Sequence, residues 1–232
     1  MTDVYLVLIG ILALSGLMMS ASKLAFRKLP AENKLHDRRN PDKMQGAAYR
    51  RSTIVNSLWS TGMMFGFLAL FGERLIYTTD EPLWRVVAVA LATLLVYDFL
   101  YYFLHRDLLH RVGPLIKVHA VHHTGKFPTA PDALYIHPVE TILGVAVLLG
   151  CMAAAGPMHI GSFAIVFFLH TQLNIIIHSG LTFRSFPLNM LGYMAGKHDI
   201  HHKSMRSGNY ASITPLPDLL FGTLDGHGKP AG

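Results

Sequence analysis

The sequence contains few charged residues and only one cysteine, and these two shortages narrow the class of protein that it encodes. Asp, Glu, Lys and Arg make up 15% of the 232 residues, whereas about a quarter is usual in soluble domains. The single cysteine, Cys151, excludes an internal disulfide, so the fold cannot depend on oxidation. Because 51% of the residues are hydrophobic, we expect a lipid bilayer to cover much of the surface.

Long runs without charge indicate membrane helices. Residues 4–22 and 52–72 contain no charged residue, and residues 83–104 carry charge only near their ends. Each run approaches the length of about 20 residues that crosses a hydrocarbon core. Residues 141–183 are also uncharged, and Gly156-Pro157 inside them predicts two helices joined by a tight turn. The first of these two is short, so it could be re-entrant or shallow.

These runs predict an all-α integral membrane bundle of about four to five membrane helices. We expect the first run to be a retained anchor, since its basic residues follow it, the reverse of a signal peptide. Residues 23–51 contain nine Lys and Arg, whereas residues 73–83 contain one basic residue and three acids. The positive-inside rule therefore predicts that residues 23–51 and every histidine cluster are cytoplasmic. The sequence lacks basic patches with interleaved aromatics, so we expect no nucleic-acid partner.

Fourteen histidines are the most unusual feature, and most of them fall into three motifs. On a helix, positions i, i+3 and i+4 lie within an arc of roughly 100°. Each HxxHH motif therefore predicts three imidazoles on one face, and two such faces opposed would form a cage. The motifs are His105-Arg-Asp-Leu-Leu-His110, His119-Ala-Val-His122-His123 and His198-Asp-Ile-His201-His202.

The first motif and the last apolar run leave alternatives open. A spacing of five residues separates His105 and His110 by about 140° on an ideal helix, which predicts that they serve different metals, although a distorted or ending helix could bring them together. His170, Asn174 and His178 are four residues apart and form a polar stripe. Polar groups in a membrane helix usually face a site. His178 is the best further ligand, Asn174 could hold a ligated water, and His170 lies deepest.

Nine imidazoles are too many for one metal ion, which takes about four to six ligands, so two metals are predicted. Neutral imidazole suits Zn, Cu, Fe and Ni, and ligand type alone does not select iron. An HExxH motif is absent from the sequence, so the zinc-protease arrangement is unsupported. The nine predicted metal ligands, which are also the predicted catalytic residues, are His105, His110, His119, His122, His123, His178, His198, His201 and His202.

This series of motifs around an apolar hairpin resembles the sterol desaturase and fatty acid hydroxylase superfamily over residues 97–224. Accessory segments extend the resemblance, namely residues 137–140, 208–210 and 221–223. The resemblance implies an O2-dependent di-iron lipid hydroxylase that oxidises a C–H bond of a fatty acyl, sterol or other lipid. It also implies a cytoplasmic helical cap that holds the two metals. It carries the nine histidines over as iron ligands and gives supporting roles around them to His137 and Glu140, in addition to Asn174 and His170.

The resemblance also implies cofactors, partners and a location. Two iron ions and O2 are expected, with zinc as a substitute for iron in a purified sample. The lipid substrate would enter from the bilayer. Electrons would come from a b-type cytochrome or a ferredoxin with its reductase, because the sequence has no haem-attachment or nicotinamide-binding motif. The active site would face the cytoplasm from a bacterial inner membrane or the endoplasmic reticulum.

Two alternatives to hydroxylation remain at the level of sequence. A lipid desaturase could use the same site, since substrate geometry decides between the two outcomes. A divalent-metal transporter or store would also be rich in histidine, but it should place ligands along a path through the bilayer. We divide the chain into residues 1–96, with N-terminal membrane helices and the basic loop, and residues 97–232, a catalytic domain.

Overall fold

The protein is an α-helical bundle in a computed structural model that describes residues 1–38, 40, 44 and 46–226. Residues 227–232 of the predicted catalytic domain lie outside this part. The predicted division after residue 96 falls inside one continuous helix, α3, and stays a prediction. The helices are α1 (Thr2–Lys28), α2 (Ala47–Leu75), α3 (Leu83–Phe103), α4 (Gly113–His119), α5 (Pro138–Ala154), α6 (Ile160–Ile177), α7 (Asn189–Lys203) and α8 (Leu216–Leu220).

Four helical segments among the described residues are long and apolar enough to cross a membrane: α1, α2, α6, and α3 together with its continuation to Leu109. The helix α5, with 17 residues, is a shorter apolar helix, in agreement with the expectation for the first half of the hairpin. A turn at Gly156, whose φ is +77°, separates α5 from α6. The prediction of an all-α integral membrane bundle is therefore confirmed.

Contacts at the two ends of the bundle define the direction of each membrane helix. At one end, Ile76–Tyr77 after α2 pairs with Met158–His159 before α6 as a short parallel β-ladder. At the other end, α3 leads into His105 and α6 ends before His178, whereas α5 starts near His119 through Glu140. We call this the histidine end. Thus α3 and α6 run in parallel towards the histidine end, and α2 and α5 run away from it.

Apolar side chains divide between a packed interior and a surface suited to lipid. A buried apolar cluster includes Leu8, Met64, Leu148 and Phe163 from four different helices. On the outside of the same helices, large apolar side chains are exposed, for example Leu70 with 73% of its surface accessible. Contact of these exposed apolar side chains with water would be unfavourable, whereas contact with lipid tails would not.

Buried polar residues connect the membrane helices to the loops at the histidine end. Asn56 in α2 is fully buried, and its amide donates to the carbonyls of Leu134 and Ile136. Its side-chain oxygen accepts a hydrogen bond from Thr141 at 2.9 Å. Buried polar groups of this kind are stable when their hydrogen bonds are satisfied, and here they fix the position of the loop before α5.

Candidate metal centre

The nine predicted histidines meet at one end of the bundle and form two compact groups. Within each group, one nitrogen of every ring lies within 4.8 Å of the others. All the rings are buried except that of His110, which is half-buried. The first histidine group contains His105, His110, His119, His123 and His201, and the second histidine group contains His122, His178, His198 and His202.

A π-helical segment explains why His105 and His110 share a group. Residues Leu104–Leu109 continue α3 with the wider π geometry, and the His110 amide donates to the His105 carbonyl, five residues earlier. A π-turn brings positions i and i+5 close to alignment, unlike an α-turn. The two ring centroids are 5.0 Å apart. The two rings therefore lie together, as the distorted-helix alternative expects. Which metal each ring would bind stays a prediction.

Each HxxHH motif contributes to both groups. In the second motif, His119 and His123 belong to the first histidine group, whereas His122 belongs to the second. The third motif has the opposite division, with His201 in the first group and His198 in the second, together with His202. The second motif is not one regular helix, since α4 ends at His119 and a 3-10 turn follows at His122–Thr124. Each of the two HxxHH motifs therefore contributes rings to both groups, and neither motif forms a separate group of its own.

Neighbouring carbonyl and carboxylate oxygens determine the tautomer of six rings. These oxygens can only accept, so the ring nitrogen facing each of them, Nδ1, carries the proton. The neutral ring then has a bare lone pair on Nε2. The pairs are His105 with the Tyr210 carbonyl (2.7 Å), His110 with Met205 (2.9 Å), His119 with Glu140 Oε1 (2.9 Å), His122 with Tyr135 (3.4 Å), His178 with Asn174 (2.7 Å) and His201 with Gly208 (2.7 Å).

The Nε2 atoms point at one another, which suits a cation between them. In the first histidine group the Nε2 atoms of His105 and His119 are 3.0 Å apart, and those of His105 and His201 are 3.1 Å apart. In the second group, His178 and His198 Nε2 are 2.9 Å apart. Lone pairs at this separation repel unless a positive ion accepts them. The donor set therefore fits two metal ions with nitrogen ligands.

Burial keeps the imidazoles outside the membrane spans in the neutral form that binds metal. It lowers the pKa of His122 and of His178 to about 4 in each case. The pKa of His110 is also lowered, mainly by burial. Since a metal ligand must be deprotonated, these rings are available to a metal near neutral pH without first losing a proton.

Glu140 supports the first histidine group through a carboxylate that is 5% exposed. It accepts the His119 Nδ1–H at 2.9 Å, an arrangement that fixes ring orientation and raises the basicity of a ligand. The other supporting candidates lie elsewhere. His137 caps the start of α5 by accepting the Val139 amide, and His170 contacts the Tyr97 hydroxyl at 3.0 Å.

Three charged residues that the sequence analysis did not assign to the site position residues 208–214, which we call the C-terminal wall of the site. Asp98 in α3 accepts hydrogen bonds from the backbone amides of residues 212–214. Lys197 and Asp218 form a fully buried ion pair, and Asp218 also accepts from the Tyr210 and Ala211 amides. This wall contains the carbonyls that accept from His105 and His201. In the sequence, the signal that could have identified Asp98 was the presence of a carboxylate inside an apolar run.

A cavity of about 490 Å³ leads from the histidines into the membrane-spanning region. Its volume lies within the range of about 300–1,000 Å³ typical of small-molecule sites. Three members of the second histidine group line it, but only His105 of the first. Its deeper walls include Leu12, Met64, Leu148 and Phe167. The site can therefore receive a largely apolar molecule whose reacting part lies beside the histidines.

The fold and the two histidine groups define an integral membrane protein with a buried cluster of imidazoles that could hold metal ions and with an adjoining apolar cavity. Comparison with known proteins gives the family. The fatty acid hydroxylase family model matches residues 90–223, more than half of the chain, and the chain belongs to this family. The superfamily expected from the histidine motifs is thus confirmed.

Several relatives are similar over much of the chain. Methylsterol monooxygenase 2-1 of Arabidopsis thaliana is 28% identical over 218 residues, which cover 84% of this chain and 78% of that protein. A very-long-chain aldehyde decarbonylase of Oryza sativa subsp. indica is 36% identical over 61% of this chain and 54% of its own length. Methylsterol monooxygenase 1 of Gallus gallus is 34% identical over 62% and 49%. The chain thus spans about half the length of the rice and chicken proteins. No solved structure matches the chain.

Proposed function

We propose that this protein is an O2-dependent di-iron hydroxylase that oxidises a C–H bond of a membrane lipid. The observation that carries the proposal is the continuity of the two histidine groups with the cavity that enters the membrane-spanning region. Two iron ions bound there would supply O2 activation and hydrogen abstraction. Relatives named methylsterol monooxygenase support an oxidation of this kind.

The chain contributes binding, orientation and exclusion of water. The nine imidazoles would be the metal ligands, with Glu140 orienting His119. Apolar walls at Met64, Leu148 and Phe167 would hold a hydrocarbon chain and keep water from the reacting carbon. The clustering of the nine rings at one end of the bundle does not favour a transporter, which needs ligands along a path through the bilayer.

Reducing electrons would come from a separate b-type cytochrome or ferredoxin with its reductase. Nine Lys and Arg in residues 23–51 favour a cytoplasmic histidine end under the positive-inside rule. A cytoplasmic site would meet such donors in either a bacterial inner membrane or the endoplasmic reticulum.

The test is to purify the protein from iron-supplied cells, count the metal ions per chain, and compare the lipids of cells that express wild type or His122→Ala. We expect about two iron ions per chain and a hydroxylated lipid that the variant does not produce. His159→Ala is a matched control, because His159 lies at the opposite end of α6 and accepts the Gly161 amide.

Other outcomes would contradict the proposal in distinct ways. A lipid with a new double bond, formed without any alcohol, would show that the protein is a desaturase and not a hydroxylase. Equal lipid profiles for wild type and His122→Ala, in cells with a working electron donor, would contradict the proposal that the protein is a lipid-oxidising enzyme. Zinc in a purified sample would leave the proposal intact, because zinc readily occupies imidazole sites.

A further inference from the structure

The short helix α8 presents an apolar surface that the described part of the chain leaves uncovered. Leu219 and Leu220 are 63% and 62% exposed, and Phe221, which follows the helix, is also exposed. We call these three residues the α8 surface. Among residues 212–224 the one charged residue is Asp218, and its side chain is fully buried. Bulky apolar side chains without neighbouring charges are unfavourable in contact with water, so this surface requires a cover of another kind.

Contacts with α3 place the α8 surface beside a membrane span. The Phe221 ring stacks on Tyr102, and the two ring centroids are 5.3 Å apart. It also meets the rings of Phe99 and Phe103 edge-on, with centroid distances of 6.4 and 5.1 Å. These three residues belong to the segment Leu83–Leu109, which is long and apolar enough to cross a membrane. The α8 surface therefore lies against the side of this span, near its histidine end.

The lipid-facing surface of α3 is continuous with the α8 surface. Val96, Leu100 and Phe103 of α3 are exposed. Their spacing of four and then three residues puts them on one face of the helix. Phe103 is at the end of this row nearest the histidines, and its ring contacts Phe221. The exposed apolar surface of the span therefore continues onto α8.

Arg106 indicates the depth of this contact in the bilayer. Its guanidinium is 5.5 Å from the centroid of the Phe221 ring and is paired with Asp107 at 2.8 Å. Charged side chains near the end of a span lie at the level of the lipid headgroups. Phe99, which Phe221 also contacts, is about 10 Å deeper along α3. Phe221 therefore lies between the headgroups and the lipid tails, within the depth of about 5–10 Å that interfacial helices reach.

The buried side of α8 connects this contact to the first histidine group. Asp218 accepts a hydrogen bond from the Tyr210 amide at 2.8 Å. The Tyr210 carbonyl in turn accepts the His105 Nδ1–H at 2.7 Å. Two successive hydrogen bonds thus lead from α8, through the C-terminal wall, to one of the imidazoles. The position of α8 therefore affects how the wall is held.

Continuity with residues that face lipid favours lipid over a second protein as the cover of the α8 surface. Because α8 has five residues, it is too short to cross a bilayer and can only lie at its surface. We propose that Leu219, Leu220 and Phe221 insert into the bilayer at the histidine end, so that α8 anchors the C-terminal wall to the membrane. The inference concerns how this wall is held and does not depend on the oxidation of a lipid.

Spin labels on single cysteines test which medium covers α8. Cys151 is the one cysteine of the chain and is buried, so Cys151→Ala provides a background for Leu220→Cys and, separately, Leu219→Cys. The labelled full chain is placed in phosphatidylcholine nanodiscs. Power-saturation EPR then compares collisions of each label with O2, which concentrates among lipid tails, and with chromium oxalate, which stays in water and does not exchange its ligands for imidazole.

Two further labelled positions calibrate the measurement. Leu95→Cys is on the exposed, lipid-facing side of α3, and Lys126→Cys is exposed in the loop after the second motif. We expect the ratio of O2 to chromium oxalate collisions at residues 219 and 220 to be close to that at residue 95. It should exceed the ratio at residue 126.

A carboxylate on the α8 surface tests its connection to the C-terminal wall. Leu220→Glu should draw α8 out of the lipid, because a charged side chain is unfavourable there. The amide hydrogen-exchange rates of Tyr210 and Ala211, which donate to Asp218, should then rise by roughly 3–10-fold. Lys126→Glu is the matched control, since it places the same carboxylate at an exposed site on another loop. It should leave both exchange rates unchanged.

Three results would overturn the inference. A collision ratio at residues 219 and 220 equal to that at residue 126 would place α8 in water. Few collisions with both O2 and chromium oxalate would show that a protein, either a second copy of the chain or another partner, covers the surface. Unchanged exchange at residues 210 and 211 in Leu220→Glu would show that α8 does not anchor the wall. If Leu220→Glu fails to fold, the two labelled positions decide the question.

Discussion

The two histidine groups differ in how their rings are held and in what they face. In the first group, four of the five rings donate from Nδ1 to a carbonyl or to Glu140, and only His105 lines the cavity. In the second group, the described residues provide such acceptors for His122 and His178, and three of the four rings line the cavity. The rings of the first group are more strongly oriented by their surroundings, and those of the second group lie closer to the cavity.

The largest effect should come from removing one ligand from each group by neighbouring changes on α7. His201→Ala should lower the metal content by about one ion per chain by emptying the first site, and His198→Ala should do the same at the second. Both variants should lose lipid product. Elemental analysis of purified protein measures the metal content. If either variant lost both metals, the comparison between two independent sites would be wrong.

Next in size is the effect of changing Glu140, whose carboxylate makes its hydrogen bond to His119 of the first group. Glu140→Gln should weaken metal binding at the first site by about 10–100-fold, the usual effect of changing a residue that orients a ligand. Competition with a calibrated chelator would measure the two affinities separately. Glu73→Gln, an exposed site at the opposite end of α2, should change neither affinity. Equal weakening of both sites would contradict the assignment of Glu140 to the first group.

Filling the cavity should separate lipid oxidation from metal binding. Gly144 lines the cavity on α5, whereas Gly150 on the same helix faces outwards, and a Cβ there would meet open space. Gly144→Leu should lower lipid turnover by roughly 10-fold or more through misplacement of the substrate, with metal content unchanged. Gly150→Leu should behave as wild type in both assays. Full turnover by Gly144→Leu would show that the substrate uses another path.

The smallest effect is expected at His137, which lies near the first group but caps a helix. His137→Ala removes the acceptor for the Val139 amide and should lower the free energy of unfolding by about 1 kcal/mol, as for other N-caps. Metal content should not change. His159→Ala removes a similar cap from α6 and should match it in a thermal unfolding assay. A loss of metal in His137→Ala alone would assign His137 to the metal site.

Local sequence patterns were sufficient for the membrane helices and for the choice of histidines. An uncharged run of about 20 residues has few stable states other than a membrane helix, and each HxxHH motif concentrates three imidazoles within five residues. The same patterns did not predict the division of each motif between two groups. That division depends on the 3-10 turn at His122–Thr124 and on the packing of α7, which are not visible in residue spacing.

The sequence by itself determined the bilayer as the solvent of this protein, the membrane helices, and the imidazoles available for metals, because these follow from composition and short-range periodicity. Only the tertiary structure decided which rings share a site. The rings of His105 and His110 are held by the Tyr210 and Met205 carbonyls, and Asp98 accepts from the backbone amides of residues 213 and 214. These contacts join residues far apart in the chain. Such contacts are set by packing in three dimensions, and no local pattern specifies them.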